Sequence, residues 1–435
     1  MTNYFKEALE YKDELIEKRR ALHQIPEVGL DLPKTKAYIK GELEGLGLEV
    51  KEYGTSGLST IIQGEKGKGK CIMIRADMDA LPMNEESGLP FASTGNTAHT
   101  CGHDLHSSIA LTAAKVLLKE KANFKGTVKI MFQPAEEIFA GSKMMIENGV
   151  LENPQVDRAL ALHTALDRET GSICYNEGYF ATSSDNFKIT IKGKGGHGAY
   201  PHTTIDPIHV AVNIYTNFLE LIARECPPQE TSTLTFGMLS AGSNSNIIPD
   251  LAEMQGTLRA YNPEVRNKLK SRMLEIIEGL KISTKAEINI DFFTGVPSLY
   301  SDPEFTREIV DYIKNSDFDG EFIPDTKIMA SEDMALVAEK VPTAYFSVNC
   351  KLPGNNFSHH NPGVNFDENM MPIGLGLMLT AVVNWLNNNW FALKKALRFD
   401  HFALTSKALI SWSNFYRSVY DSNSSFMGCF FFAPE

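Results

Sequence analysis

The chain has 435 residues, of which 43% are hydrophobic and 22% charged, and its formal net charge is -12. That length exceeds one comfortable hydrophobic core and predicts about two to three domains; the acidic balance, with no Lys/Arg block to offset it, argues against a nucleic-acid partner. The six cysteines (Cys71, Cys101, Cys174, Cys226, Cys350, Cys429) lack the dense spacing of a disulfide scaffold, so a reducing, cytoplasmic setting is expected.

In chain order, MTNYFKEALEYKDELIEKRRALHQIP sets Phe5, Leu9, Leu15, Ile16 and Leu22 near helical spacing among many charges, which predicts a surface helix rather than a signal peptide. From about residue 58 to 180, short apolar runs (IIQG, CIMIRADMDALP, GTVKIMFQPAEE, DRALALHT) alternate with an amphipathic stretch, HSSIALTAAKVLLKE, the pattern of an α/β domain. Residues 183–295 change to a βαββαβ string: FKITIKG, a helix near DPIHVAVNIYTNFLELIARE, STLTFGML, AEMQGTLRAY, a helix over PEVRNKLKSRMLEIIEGL, and EINIDFF. That order suits a ferredoxin-like inserted domain. Patterning resumes at VPTAYFSVN and a closing helix near MPIGLGLMLTAVVNWLNN, so the first domain is expected to be discontinuous, over 1–182 and 296–389. Residues 390–435 carry no assignable chemistry. No run is expected to reach the roughly 18 apolar residues of a bilayer span, and no membrane partner is expected.

The informative residues cluster where predicted strands give way to loops, the edge where open α/β sheets bind ligands. In HTCGHDLH a single glycine separates Cys101 from His103, so a tight turn can aim both at one point. Glu136 and Glu137 follow KIMFQPA; adjacent carboxylates on irregular backbone diverge, so that one can ligate while the other stays a base. His163 closes an apolar run, and His359 and His360 occupy a Gly/Asn/Pro-rich loop. Each feature alone has a bland reading, as a buried thiol, a helix start, a core imidazole or an exposed loop. Together, Cys, His, Glu, His and His at successive strand ends exceed what one tetrahedral zinc needs and imply two divalent metal ions. Two neighbouring ions can acidify a shared water and polarise a carbonyl.

With RADMDALP, HTCGHDLH, QPAEE, HGAYPH, SNIIPD, SEDMA and HHNP in order over roughly residues 10–389, the sequence resembles the aminoacylase/hippurate hydrolase/auxin-conjugate amidohydrolase family. The resemblance implies a metallo-exopeptidase-like catalytic domain, a mixed sheet flanked by helices, with an inserted lid and dimerisation domain, and a homodimer or larger homo-oligomer. It implies Cys101, His103, Glu137, His163 and His360 as metal ligands, His359 being an alternative to His360, and Glu136 as the general base. It further implies His197 as the group that steadies the oxyanion, from its own subunit or a partner's, and Asn246 and Arg259 as the grip on the substrate carboxylate. Asp77, Asp79 and Asp104 would orient the ligand imidazoles. The expected activity is metal-dependent hydrolysis of N-acyl or N-aroyl amino acids, with zinc, manganese, cobalt or nickel. The other uses of such a site are deacetylation of N-acetyl-diaminopimelate, dipeptide or carboxypeptidase cleavage, and non-catalytic metal binding.

Overall fold

The computed structural model describes residues 3–388; the tail from residue 390 lies outside the described residues. An eight-stranded sheet runs in the order Val50–Tyr53, Gly57–Gln63, Thr127–Gln133, Cys71–Asp77, Arg158–Glu169, Thr343–Lys351, Ser172–Tyr175, Glu321–Ile323. Its centre, from Thr127–Gln133 to Thr343–Lys351, is parallel, and antiparallel pairs flank it. CIMIRAD and TVKIMFQ are buried along their whole length. Continuous apolar runs of this kind belong to strands covered on both faces.

Successive side chains of these strands feed different cores, as the period of two requires. Ile72, Ile74, Leu160, Leu162, Ala344 and Phe346 join the cluster under the helices Lys12–His23, His103–Lys119, Pro303–Lys314 and Met370–Asn388. Met73, Met131, Ala159, Ala161 and Tyr345 face the opposite side, toward Met145, Phe180 and Met334. The closing helix Met370–Asn388 corrects one expectation: it is long and apolar enough, by composition, to cross a bilayer. However, 83% of its apolar window is buried inside the fold, the place of a core helix.

The βαββαβ segment builds its own four-stranded antiparallel sheet, ordered Ser232–Ala241, Leu251–Ala260, Ser184–Lys192, Glu287–Val296. Numbered by sequence and read from the Glu287–Val296 edge this is 4-1-3-2, the ferredoxin-like arrangement. Helices Pro207–Arg224 and Pro263–Thr284 pack over it on a separate core that includes Phe187, Ile214, Phe218, Met254 and Leu269. Each begins with proline after a capping side chain, Asp206 accepting from Ile208 N and Asn262 from Glu264 N, which satisfies otherwise orphaned amides.

One detail departs from the strand-end pattern. Arg158–Glu169 runs well past His163, which pairs with Ser347 inside the ladder. Its apolar lead-in and its chemistry therefore share a single strand.

Candidate metal centre

Gly102 makes the Cys101–His103 turn with φ +87°, and a Cβ there would lie 2.8 Å from Thr164 Oγ1. Only glycine meets both demands. The turn brings Cys101, His103 and Glu137 together, each offering a ligand atom within 4.8 Å of the others. Cys101 Sγ also stands 3.6 Å from His163 Nε2. His360, in a left-handed conformation at φ +63°, directs Nε2 to within 3.2 Å of Glu137 Oε2. His359 instead turns inward, with Nε2 3.0 Å from Thr164 Oγ1.

The imidazoles are held in a ligating orientation. His103 Nδ1 meets Asp79 Oδ1 at 3.2 Å and His163 Nδ1 meets the Thr164 carbonyl at 2.8 Å. Both contacts hold a proton on Nδ1, so Nε2 is the nitrogen available to a metal. His103 Nε2 and Glu137 Oε1 are buried without any hydrogen-bond partner among the described residues. Orphaned atoms of this kind, in a cluster of thiol, imidazole and carboxylate, fit divalent cations. The electrostatics agree. Burial, then the nearby Glu137 and Glu136, push the Cys101 thiol well above its usual range. Burial works against a charged His103, yet Asp77 and Asp79 outweigh it and raise the imidazole to about 10. Raised proton affinity at both the thiol and the imidazole marks a cluster rich in negative charge, which a metal ion in place of those protons would answer.

Glu136 differs from its neighbour. Its carboxylate accepts no hydrogen bond from the described residues, and its nearest imidazole atom, His103 Nε2, is 3.9 Å away. Burial first, and then Glu332, Asp333 and Glu137, raise its proton affinity well above that of an ordinary glutamate. In Glu137, burial is outweighed by the hydrogen bond from His360 and by the charge of His103, so its pKa is lowered. The pair is split into a ligand-like and a base-like member.

Sequence reasoning missed the support behind this pair. Arg75, fully buried, donates to Asp77 at 2.7 Å, Glu332 at 2.9 Å, Asp333 at 3.0 Å and Gln133 at 2.9 Å. It ties RADMD, QPAEE and SEDMA into one block. His106 also went unassigned. Its Nδ1 meets Asp77 Oδ1 at 2.6 Å and its Nε2 accepts from Thr164 N at 2.9 Å, so both nitrogens are in use. The signals were present, an arginine opening RADMD and an H-x-x-H spacing, but neither shows its partners without the fold.

The three aspartates separate accordingly. Asp79 orients His103 and accepts from Glu137 N, while Asp77 braces His106 and Arg75. Asp104 is a correction: it contacts no candidate ligand imidazole, because its Oδ2 accepts from Arg19 Nε at 2.8 Å and meets His23 Nδ1 at 2.8 Å on the other side of its helix turn.

A cavity of about 840 Å³ opens on Cys101, Glu136, Glu137, His163 and His360. Arg259 lines it too, held by Ser331 Oγ at 2.8 Å and the Met329 carbonyl at 3.3 Å, with no carboxylate partner among the described residues. His197 and Asn246 are not brought to this cavity. They sit exposed beside the short ladder Gly196–His197/Ile247–Ile248, where the Asn246 carbonyl accepts from Gly198 N. Within one subunit, His197 does not reach over the metal residues.

The model of peptidase family M20/M25/M40 matches residues 73–384. The chain belongs to this family. It is 34% identical over 359 residues to an N-acetyl-L-cysteine deacetylase of Bacillus subtilis, covering 82% of this chain and 84% of the relative. It is 31% identical to an N-acetyldiaminopimelate deacetylase of a Geobacillus strain, covering 85% of this chain and 97% of that one. A solved Bacillus subtilis structure, YXEP, a dinuclear metal binding peptidase from the M20 family, superposes with a TM-score of 0.75 at 30% identity, covering 87% of this chain and 99% of that one. Family membership and the ligand groups together support two divalent metals and metal-dependent amide hydrolysis.

Proposed function

We propose that this chain hydrolyses the amide bond of an N-acyl or N-aroyl amino acid, releasing a carboxylate and a free amino acid. The observation that carries this reading is the buried, unbonded Glu136 carboxylate beside the Cys101/His103/Glu137 cluster, in a cavity that also exposes the anion-free guanidinium of Arg259. Cys101, His103, Glu137, His163 and His360 would hold the two ions; thiolate and imidazole favour zinc, and manganese, cobalt or nickel are compatible with the set. Such ions acidify water and polarise a carbonyl when bound.

The chain's own residues supply the rest. Glu136 takes the proton of the attacking water and passes it to the amide nitrogen as the C–N bond breaks, a shuttle suited to a carboxylate of raised proton affinity. Arg259, pre-positioned by Ser331, receives the substrate's carboxylate as a bidentate partner. His197 and Asn246 would serve the site of a second copy, His197 steadying the developing oxyanion and Asn246 assisting Arg259.

A homodimer is supported by an exposed apolar stripe, Ile208, Val212, Tyr215 and Leu219, on the helix Pro207–Arg224. Met238 and Leu239 are also exposed, on Ser232–Ala241, the edge strand of that sheet. Contiguous exposed apolar side chains of this kind mark association surfaces. The free thiols among the described residues suit a cytoplasmic setting.

The same machinery would also deacetylate N-acetyl-diaminopimelate or cleave a dipeptide, and the acyl pocket separates these uses. Turnover of hippurate, N-acetyl-methionine and N-acetyl-diaminopimelate by metal-loaded protein tests the reading. An N-acyl or N-aroyl amino acid is expected to be cleaved; inactivity on all three would sink it.

A further inference from the structure

The floor of the 840 Å³ cavity is a face of the large sheet. At the level of the metal residues it shows His163, paired with Ser347, and Cys174, paired with Ser347 on its other side. Farther along the same strands come Ala165, then Asp167 and Lys351, both opening on the cavity. Four residues of extended chain separate Ser347 from Lys351, roughly 13 Å.

Around this end of the sheet Arg168 pairs with Glu321 and Thr170 donates to Asp367, while Glu169, the register partner of Lys351, forms no ion pair among the described residues and does not line the cavity. Asp167, exposed at the rim, and Lys351, partly buried, do line it. They lie on adjacent parallel strands, line the same cavity, and form no ion pair with each other or with any other described residue. A hydrophobic group placed there would desolvate two opposite charges without answering either. A ligand that brings one charge of each sign, a short distance apart, would answer both.

We propose that Asp167 and Lys351 form a distal subsite for the ammonium and carboxylate of a free α-amino-acid head. The preferred substrate is then an amide whose acyl group ends in such a head, of γ-glutamyl or α-aminoadipyl size. This rests on the amide-hydrolase reading above, which fixes the direction of the chain. Arg259 takes the carboxylate of the released amino acid, so the acyl chain leaves the scissile carbonyl along the sheet floor, past Ser347 and Cys174, toward Lys351. The small polar side chains there accept an extended chain without bulk.

The test compares kcat/KM of metal-loaded protein on methionine N-acylated with acetyl, glutaryl, γ-glutamyl or α-aminoadipyl groups. At least one of the two amino-diacid derivatives is expected to exceed acetyl and glutaryl by about tenfold. Lys351→Met and Asp167→Asn are each expected to cut that preference several-fold, and Lys351→Arg to retain most of it. Acetyl-methionine cleaved as well as the amino-diacid derivatives, or a preference that survives both Lys351→Met and Asp167→Asn, overturns the subsite while leaving amide hydrolysis standing. No cleavage of any of the four overturns the subsite, and if hippurate and N-acetyl-diaminopimelate are also untouched the amide-hydrolase reading falls with it.

Discussion

His103 Nε2 and Glu137 Oε1 stand 3.7 Å apart, both buried, and neither has a hydrogen-bond partner among the described residues. The other edge of the imidazole is committed to Asp79, so Nε2 faces the carboxylate by construction. Leaving two buried polar atoms unanswered costs about 1–3 kcal/mol each. A cation between the ligands removes that cost.

Chelation should therefore lower the thermal midpoint of the purified protein, and added divalent metal should restore it. A cation that binds only the folded chain adds about 2.7 kcal/mol at a hundredfold excess over its Kd. Differential scanning calorimetry with and without chelator reads this directly. Superimposable curves would contradict a metal site here. His103→Ala should in addition lower the metal content measured by elemental analysis.

Among the described residues, Arg75 is the sole cation facing Asp77, Glu332 and Asp333 in their buried cluster, apart from the imidazoles on Asp77. Arg75→Met should destabilise the fold by about 3–5 kcal/mol, because breaking a buried pair strands its charges. Urea unfolding measures the loss; a change below 1 kcal/mol would show that the carboxylates find another partner or take up protons without penalty.

A third expectation concerns pH and lies away from the cavity. In His23, burial opposes the charge, but Asp104 and Glu85 outweigh it and raise the pKa above the ordinary value. A group whose folded pKa is raised stabilises fully below its unfolded value of about 6.5, and that contribution fades as pH rises through the folded value. The wild-type urea midpoint should thus fall more steeply above pH 6.5 than that of His23→Gln. Parallel profiles would mean that His23 is not charged in the native state.

The association surface is tested by Val212→Glu with Tyr215→Glu, which places charge in the apolar stripe of Pro207–Arg224. Sedimentation should show a dimer for the wild type and a monomer for the double variant. If both sediment alike, the stripe is not the interface.

Much of this was legible in the sequence, for identifiable reasons. The βαββαβ order, the Pro207 and Pro263 helix starts and the continuous apolar strands announce themselves because local chemistry and burial agree. Cys101, His103, Glu136 and Glu137 were legible because a glycine turn and an irregular post-strand loop hold them close in sequence. The brace of Arg75 with Glu332 and Asp333 was not, since its partners lie far apart along the chain and only the folded structure unites them. Asp104 misled for the opposite reason: adjacent to His103 in sequence, it points from the helix toward Arg19 and His23. His197 sits on an exposed ladder, away from the cavity lining, so its neighbours in the chain give no sign of what it faces.

The division of labour between Glu136 and Glu137 is tested most directly by Glu136→Gln. Elemental analysis should find the metal content of the wild type, since Glu137 and the imidazoles remain, while kcat for N-acyl amino acid hydrolysis falls by about a hundredfold or more. Wild-type turnover in the variant, with its metal intact, would show that the proton is carried by another group.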